Sequence, residues 1–149
     1  MLEPLLKIWH GEFIDDPQRK EAFRISMWCI DNMCRYRPNW NAMAPIFVIL
    51  PQVLQQDDPY LLKECCWAIA RILHQSGRHI VIDSMITLDF CARLNNILAR
   101  NEMITTHPIL RALINLSSSK NSTHLRVQCS LKVVFNRNKH HQTFGLLIG

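Results

Sequence analysis

Residues 50–77, LPQVLQQDDPYLLKECCWAIARILHQSG, align without a gap on residues 94–121, LNNILARNEMITTHPILRALINLSSSKN. The shift is 44 residues, and it places Trp67 over Arg111. Apolar residues recur in both copies at the three- and four-residue intervals that are typical of amphipathic helices. The two segments therefore predict two copies of one helical unit, stacked in sequence order.

A third, weaker copy precedes these two. The segment ISMWCIDNMCRYR at 25–37 resembles ECCWAIARILHQS at 64–76, and Trp28 precedes Trp67 by 39 residues. Spacings of 39 and 44 residues lie near the period of armadillo and HEAT repeats and above that of tetratricopeptide or ankyrin repeats. We therefore expect an all-α, armadillo-repeat, right-handed superhelical solenoid of about three repeats.

Turn and cap residues divide these repeats into helices. Pro45 suits a first helical turn, Asp57-Asp58-Pro59 suits a helix start, and Ser76-Gly77 suits a helix end. The pattern predicts one domain, 1–149, with units at about 1–36, 37–76 and 77–119 and a partial unit at 120–149. The predicted helices are Leu2–Trp9, Gln18–Arg35, Pro45–Gln55, Tyr60–Gln75, Arg78–Ser84, Asp89–Ala99 and Ile104–Ser117, with Gly11–Pro17 as a connector. Ser122–Phe135 predicts a short helix plus the start of another.

Composition agrees with a folded helical domain. Of the 149 residues 48% are apolar, 19% are charged and only 4 are Gly, which gives enough apolar content for a core and little material for tight turns. The net charge of +5 is uneven: from Met103 onward there are six basic and no acidic residues, whereas residues 1–102 hold 11 basic and 12 acidic ones. The basic stretch contains only Phe135 and Phe144 as aromatic residues, so stacking on nucleic-acid bases is poorly supported.

Catalytic and metal-binding patterns are weak. The six cysteines have no CxxC spacing, and His140-His141 beside Lys139 is the remaining hint of a metal site. There is no G-x-S-x-G motif and no phosphate-binding glycine loop. Without a signal peptide or a long apolar span, we expect reduced thiols. The sequence thus predicts a protein that is not an enzyme, with no cofactor, no metal and no membrane association.

The residues with binding potential occur as pairs four positions apart on the long helices: Trp28 and Asn32, Trp67 and Arg71, Arg111 and Asn115. Residues at i and i+4 share a helix face, and stacked repeats align such faces into one ladder. Asn can hold an extended peptide backbone, and neighbouring indoles can hold the stems of Lys or Arg by cation–π attraction. A tryptophan in a single helix could equally be a core residue; the repetition favours a groove position.

Four segments resemble the importin-α family in order and spacing. WCIDNMCR (28–35) is similar to WxLSNLCR, DDPYLLKECCWAIA (57–70) to DPEVLADxCWAIS, and PILRALINL (108–116) to PALRAIGNI, while VIDS (81–84) resembles the turn into the next repeat. The resemblance covers about residues 2–120. It implies the fourth to sixth armadillo repeats and part of the seventh, in a nuclear-import adaptor of the cytoplasm and nucleus that binds Lys/Arg-rich localisation signals in a groove.

The same resemblance assigns roles to single residues. Trp28 and Asn32 match the last Trp–Asn pair of the major site, Glu64 an acidic groove position, and Trp67 the tryptophan between the two sites. Arg111 and Asn115 match the pair that begins the minor-site region, and we include Arg71 among the peptide-binding residues.

Several positions depart from the family pattern. Ile25 replaces an Asn, Asp31 a Ser, Tyr60 an acidic residue and Arg71 a Tyr. Because Arg71 would place a cation in a groove for cations, we expect Arg71→Tyr to strengthen the binding of a Lys-rich peptide.

The sequence thus predicts an adaptor fragment that binds basic localisation signals. We expect no binding of importin-β through this chain alone, since the segment that recruits it is missing here, and no nucleic-acid partner. The alternative is a degenerate armadillo scaffold for other protein–protein interactions, without import activity. Ile25 and Arg71 favour that alternative, whereas Asn32, Asn115 and Glu64 favour peptide binding.

Overall fold

The structure, a computed structural model, describes residues 2–10, 17–75 and 88–118. The described residues form helices and turns and contain no strand. The helices are α1 (Glu3–His10), α2 (Pro17–Cys34), α3 (Trp40–Met43), α4 (Ile46–Val53), α5 (Pro59–Gln75), α6 (Leu88–Ala99) and α7 (Met103–Ser118). The architecture is an all-α armadillo-type solenoid, as the repeat spacing predicted.

Sequence patterns located most helices to within one or two residues. The start of α5 is fixed by Asp58, whose Oδ1 accepts hydrogen bonds from the backbone N–H groups of Tyr60 at 3.1 Å and Leu61 at 3.4 Å. This is the N-cap that the Asp-Asp-Pro sequence predicted. The predicted helix Pro45–Gln55 is shorter in the structure, where Pro45 precedes α4 as its N-cap residue.

The four-residue helix α3 was not predicted from the sequence. Asn39 begins it, because its Oδ1 accepts a hydrogen bond from the Asn41 N–H at 3.1 Å. So short a helix gives no periodic apolar signal. The predicted helices Arg78–Ser84 and Ser122–Phe135, and most of the connector Gly11–Pro17, lie outside the described residues; Pro17 itself begins α2.

The core lies between the long helices α2, α5 and α7, with α5 in the centre. Their inward faces carry fully buried Ile and Leu side chains, among them Ile30, Leu62, Ile69 and Ile109. At one end α1 packs on α2, where the rings of Trp9 and Phe23 stack with centroids 4.5 Å apart. Burial of this kind leaves the opposite faces of the three long helices available for binding.

Among the described residues, no helix is both long enough and apolar enough to cross a lipid bilayer.

Candidate functional site

The three long helices pack in one repeated register. Arg71, four residues after Trp67, donates a hydrogen bond to Asp31, three residues after Trp28. In the next pair Asn115, four residues after Arg111, donates from Nδ2 to the carbonyl of Ala70, three residues after Trp67, at 2.8 Å. The sequence separations are 40 and 45 residues, each one more than the repeat spacings of 39 and 44. Equivalent residues therefore line one continuous surface, the groove, which extends across α2, α5 and α7 from Trp28 to Arg111.

The groove contains two clefts. The α2–α5 cleft has a volume of about 290 Å³ and the α5–α7 cleft about 300 Å³. Glu64 lines the first and Trp67 the second, three residues apart on one face of α5.

The α2–α5 cleft is built around Trp28. Its side chain is 55% exposed, which is unusual for a residue with so large an apolar surface. The cleft is lined by Glu21, Arg24, Ile25, Trp28, Tyr60, Lys63 and Glu64. The Glu64 carboxylate lies 2.7 Å from Lys63 Nζ, so this carboxylate is shared with a neighbour on its own helix.

Arg24 on α2 contacts Asp58 and Tyr60 at the start of α5, and so connects the two sides of this cleft. Its Nε and Nη2 donate to the Asp58 carboxylate at 2.7 and 3.1 Å, and its guanidinium lies 4.9 Å from the centre of the Tyr60 ring. Burial works against ionisation of Asp58, but the hydrogen bond from Arg24 and those from two backbone N–H groups outweigh it and lower the pKa of that carboxyl. Arg24 is thus held by Asp58 and Tyr60, while Trp28 remains 55% exposed.

The α5–α7 cleft has a different character. It is lined by Trp67, Ala70, Arg71, His74, Gln75, Arg111 and Asn115, a set without Asp or Glu. The Trp67 ring is half-buried: the Arg71 guanidinium lies 5.3 Å from its centre, and the His107 ring meets it edge-on at 5.2 Å. The cation-binding position on this indole is therefore taken by a side chain of the protein itself.

Arg71 reaches from this cleft to a buried carboxylate. Its Nη1 donates to Asp31 Oδ1, and Arg35 Nη2 lies 3.7 Å from the second oxygen of the same group. Asp31 is only 1% exposed, so it does not face a ligand. Burial lowers the pKa of Arg71, but an arginine remains cationic near neutral pH. Two of the departures from the family pattern, Asp31 and Arg71, thus form one ion pair.

The two asparagines of the predicted ladder use their amide donors within the protein. Asn32 Nδ2 donates to the carbonyl of Trp28 at 2.9 Å, and Asn115 Nδ2 donates to Ala70 across the helix interface. Asn115 lines the α5–α7 cleft with Arg111, whereas Asn32 is not among the residues that line either cleft. Arg111 is exposed, and no ion pair joins it to another described residue.

Sequence reasoning missed several residues that line the clefts. Arg24 and Glu21 lie four and seven residues before Trp28 on α2, and Lys63 lies four residues before Trp67 on α5. His74 and Gln75, about two helical turns after Trp67, line the second cleft. Extending the search for same-face positions from four residues after each tryptophan to seven residues before it would have found the first three.

Within the part of the chain that the structure describes, no group of three or more His, Cys, Asp or Glu side chains could hold a metal ion.

The stacked helices and their repeated register define the chain as an armadillo-type repeat protein. Comparison with known proteins gives the family relationship. Importin subunit alpha-4 of Arabidopsis thaliana is 26% identical over 117 residues, which cover 77% of this chain and 20% of that protein. Importin subunit alpha-1 of Schizosaccharomyces pombe is 31% identical over 91 residues, or 58% of this chain and 16% of that protein.

Importin subunit alpha-1b of Oryza sativa subsp. japonica is 22% identical over 134 residues, which cover 85% of this chain and 25% of that protein. No family model matches the sequence. The chain is therefore a divergent relative of the importin-α subunits, and it spans about a fifth of the length of the curated relatives it matches.

Proposed function

We propose that the chain is a peptide-binding module that receives the Lys/Arg-rich localisation segment of a cargo protein in its groove, as an importin-α-like adaptor shared between cytoplasm and nucleus. The observation that carries the proposal is the open indole of Trp28, 55% exposed in a cleft with Glu21 and Glu64. An exposed indole face attracts a Lys or Arg head group, and the flanking carboxylates stabilise its charge.

The charges around this cleft favour a cation. The lining residues and the carboxylate paired with them comprise three acids, Glu21, Asp58 and Glu64, against two bases, Arg24 and Lys63. The net charge of −1 is small. The indole of Trp28 therefore positions the basic side chain of the ligand, and the carboxylates add a modest preference for positive charge. On this proposal Trp28 is the main ligand contact, while Glu21 and Glu64 select for basic side chains.

A second candidate function is the degenerate scaffold, which binds other proteins without cargo-import activity. The arrangement around Trp67 favours it, because Arg71 already covers that ring and a second basic stem has no equivalent slot there. We expect a groove with one exposed indole to bind a basic peptide more weakly than a groove with several exposed indoles in a row.

The experiment is fluorescence anisotropy with a labelled Lys/Arg-rich peptide and a Gln-substituted peptide of equal length. We expect micromolar binding of the basic peptide alone, weakened about tenfold (about 1.4 kcal/mol) by Trp28→Ala. Asn32→Ala tests the predicted position one turn further along α2 as a second contact. Trp40→Ala is a matched control, because Trp40 packs beside Phe47 with ring centroids 6.3 Å apart, away from both clefts.

Equal affinity of the wild type and Trp28→Ala, both shown to be folded by circular dichroism, would remove the proposed site. Absence of binding to the folded wild type would favour the scaffold alternative.

A further inference from the structure

The two clefts of the groove differ in the sign of their charge. Arg71 and Arg111 line the α5–α7 cleft, and among the described residues the one carboxylate paired with either of them is that of Asp31. When lining charges and the carboxylates paired with them are counted for both clefts, the α5–α7 cleft has two guanidinium groups against one carboxylate, a net charge of +1, whereas the α2–α5 cleft has a net charge of −1. Low-dielectric walls on both sides strengthen the potential inside such a cleft.

We propose that the α5–α7 cleft binds an acidic side chain of an extended peptide, with Arg111 as the main contact. Arg111 is exposed in the cleft wall and has no carboxylate partner among the described residues, so its guanidinium can pair with a ligand carboxylate in the two-point geometry that arginine favours. Arg71 adds positive charge from the opposite wall. This differs from the expectation, based on sequence, that the surface near Trp67 receives basic stems.

Arg71 also excludes a basic side chain from this cleft. Its guanidinium lies over the Trp67 ring at 5.3 Å, where a ligand Lys or Arg would have to lie. The ion pair with Asp31, which is 1% exposed, fixes this arrangement, since moving Arg71 would leave a buried carboxylate without its hydrogen bond. A basic side chain would therefore meet both like charge and an occupied indole.

A peptide suits the α5–α7 cleft better than a nucleic acid does. Gln75 lines the cleft with a buried Oε1 that has no hydrogen-bond partner among the described residues, while its Nε2 donates to the Arg35 carbonyl at 3.3 Å. This acceptor needs a donor, and the backbone of a peptide supplies N–H groups along its length, whereas the phosphate backbone of a nucleic acid supplies none. The covered Trp67 ring also offers no free face on which a base could stack.

The inference rests on the premise of the proposed function that the groove holds an extended peptide, and it adds that a ligand carries acidic residues beside its basic ones. The test is anisotropy with labelled Glu-rich, Lys-rich and Gln-rich peptides of equal length, and with a single-stranded oligonucleotide. Each ligand is measured against the wild type, Arg111→Gln and Lys20→Gln. Lys20 is an exposed cation on α2 that lines neither cleft, so its variant controls for loss of one charge.

We expect saturable binding of the Glu-rich peptide, weakened about tenfold by Arg111→Gln and by less than about twofold by Lys20→Gln, and reduced by added salt. The inference is overturned if the folded chain does not bind the Glu-rich peptide, or if Arg111→Gln and Lys20→Gln weaken it equally. Binding of the oligonucleotide through Arg111 as tight as that of the Glu-rich peptide would also overturn it, in favour of a nucleic-acid site.

Binding of the Lys-rich peptide and its dependence on Trp28 are read separately in the same experiment. If the Glu-rich peptide binds through Arg111 and the Lys-rich peptide does not bind, the proposed function is wrong, but the inference that the α5–α7 cleft binds an acidic side chain stands. The reverse result leaves the proposed function in place and removes the acidic subsite.

Discussion

At the scale of single residues, the tryptophans show how environment decides what a side chain can do. Trp28 and Trp67 occupy equivalent positions in two repeats, yet Trp28 is 55% exposed, while Trp67 is half-buried and contacted by Arg71 and His107. Sequence spacing predicted that the two positions are equivalent. It could not show that a residue four positions later would cover one of the rings, because that depends on the side-chain contacts of Arg71.

Asp58 is both a helix cap and half of an ion pair, and the two roles can be separated by mutation. We expect Asp58→Ala to lower the free energy of unfolding by about 1 kcal/mol or more, because it removes the N-cap of α5 and the partner of Arg24. Asp58→Asn retains a good cap and loses only the charge, so its cost should be smaller. Urea unfolding followed by circular dichroism measures both.

The pH dependence of the Asp58→Asn effect follows from the lowered pKa of the Asp58 carboxyl. A pKa that is lower in the folded than in the unfolded protein contributes stability above the ordinary value of 3.8, and this stability is lost as the pH falls through the folded value. The advantage of the wild type over Asp58→Asn should therefore be constant near neutral pH and shrink below pH 3.8. An advantage that does not change with pH would mean that the charge of Asp58 is not stabilising.

Thiol reactivity also differs at the residue scale. Burial raises the pKa of both Cys34 and Cys66 to about 12, so at pH 8 only roughly one molecule in ten thousand has either thiolate. Cys29 is half-buried on α2. Iodoacetamide should modify Cys29 at least a hundredfold faster than Cys34 or Cys66 in the folded protein, and all three at similar rates in urea, as measured by peptide mass mapping. Equal rates without urea would contradict the buried positions of Cys34 and Cys66.

At the scale of helices, the contacts between α2, α5 and α7 explain why two unusual residues occur together. The carboxylate of Asp31 is buried and needs a cation beside it, and Arg71 supplies that cation. The ion pair therefore explains why both departures occur in the same chain. The comparison with the family pattern identified both positions as departures but treated them as independent. Their pairing is a contact over 40 residues of sequence, which no local pattern specifies.

The original expectation for Arg71→Tyr has to be tested with a second substitution. The single variant leaves Asp31 buried with only Arg35 nearby at 3.7 Å, and removing one partner of a buried pair costs about 3 kcal/mol or more. We expect Asp31→Ser/Arg71→Tyr to recover most of that stability, and chemical denaturation of the wild type, the two single variants and the double variant measures the coupling. Additive effects would show that the pair does not contribute as a unit.

At the scale of the whole molecule, the repeat determined what could be predicted. The 44-residue alignment and the helix caps gave the class of fold and the bounds of the long helices, because amphipathic periodicity and capping are local properties. The sequence also placed the candidate site on one face of the long helices. It did not reveal that the two clefts differ in charge, because the ion pairs that decide this, Arg24 with Asp58 and Arg71 with Asp31, are contacts between residues far apart in sequence.

The central claim is that Trp28 is the open contact of a peptide-binding groove, and the indole N–H signals in an NMR spectrum test it directly. The four tryptophans give four such signals, which substitution of each residue assigns. On titration with a Lys/Arg-rich peptide we expect the Trp28 signal to shift saturably, while the signals of Trp9 and Trp40, packed against Phe23 and Phe47, remain in place. A Trp28 signal that stays unchanged in a folded protein at saturating peptide would contradict the account.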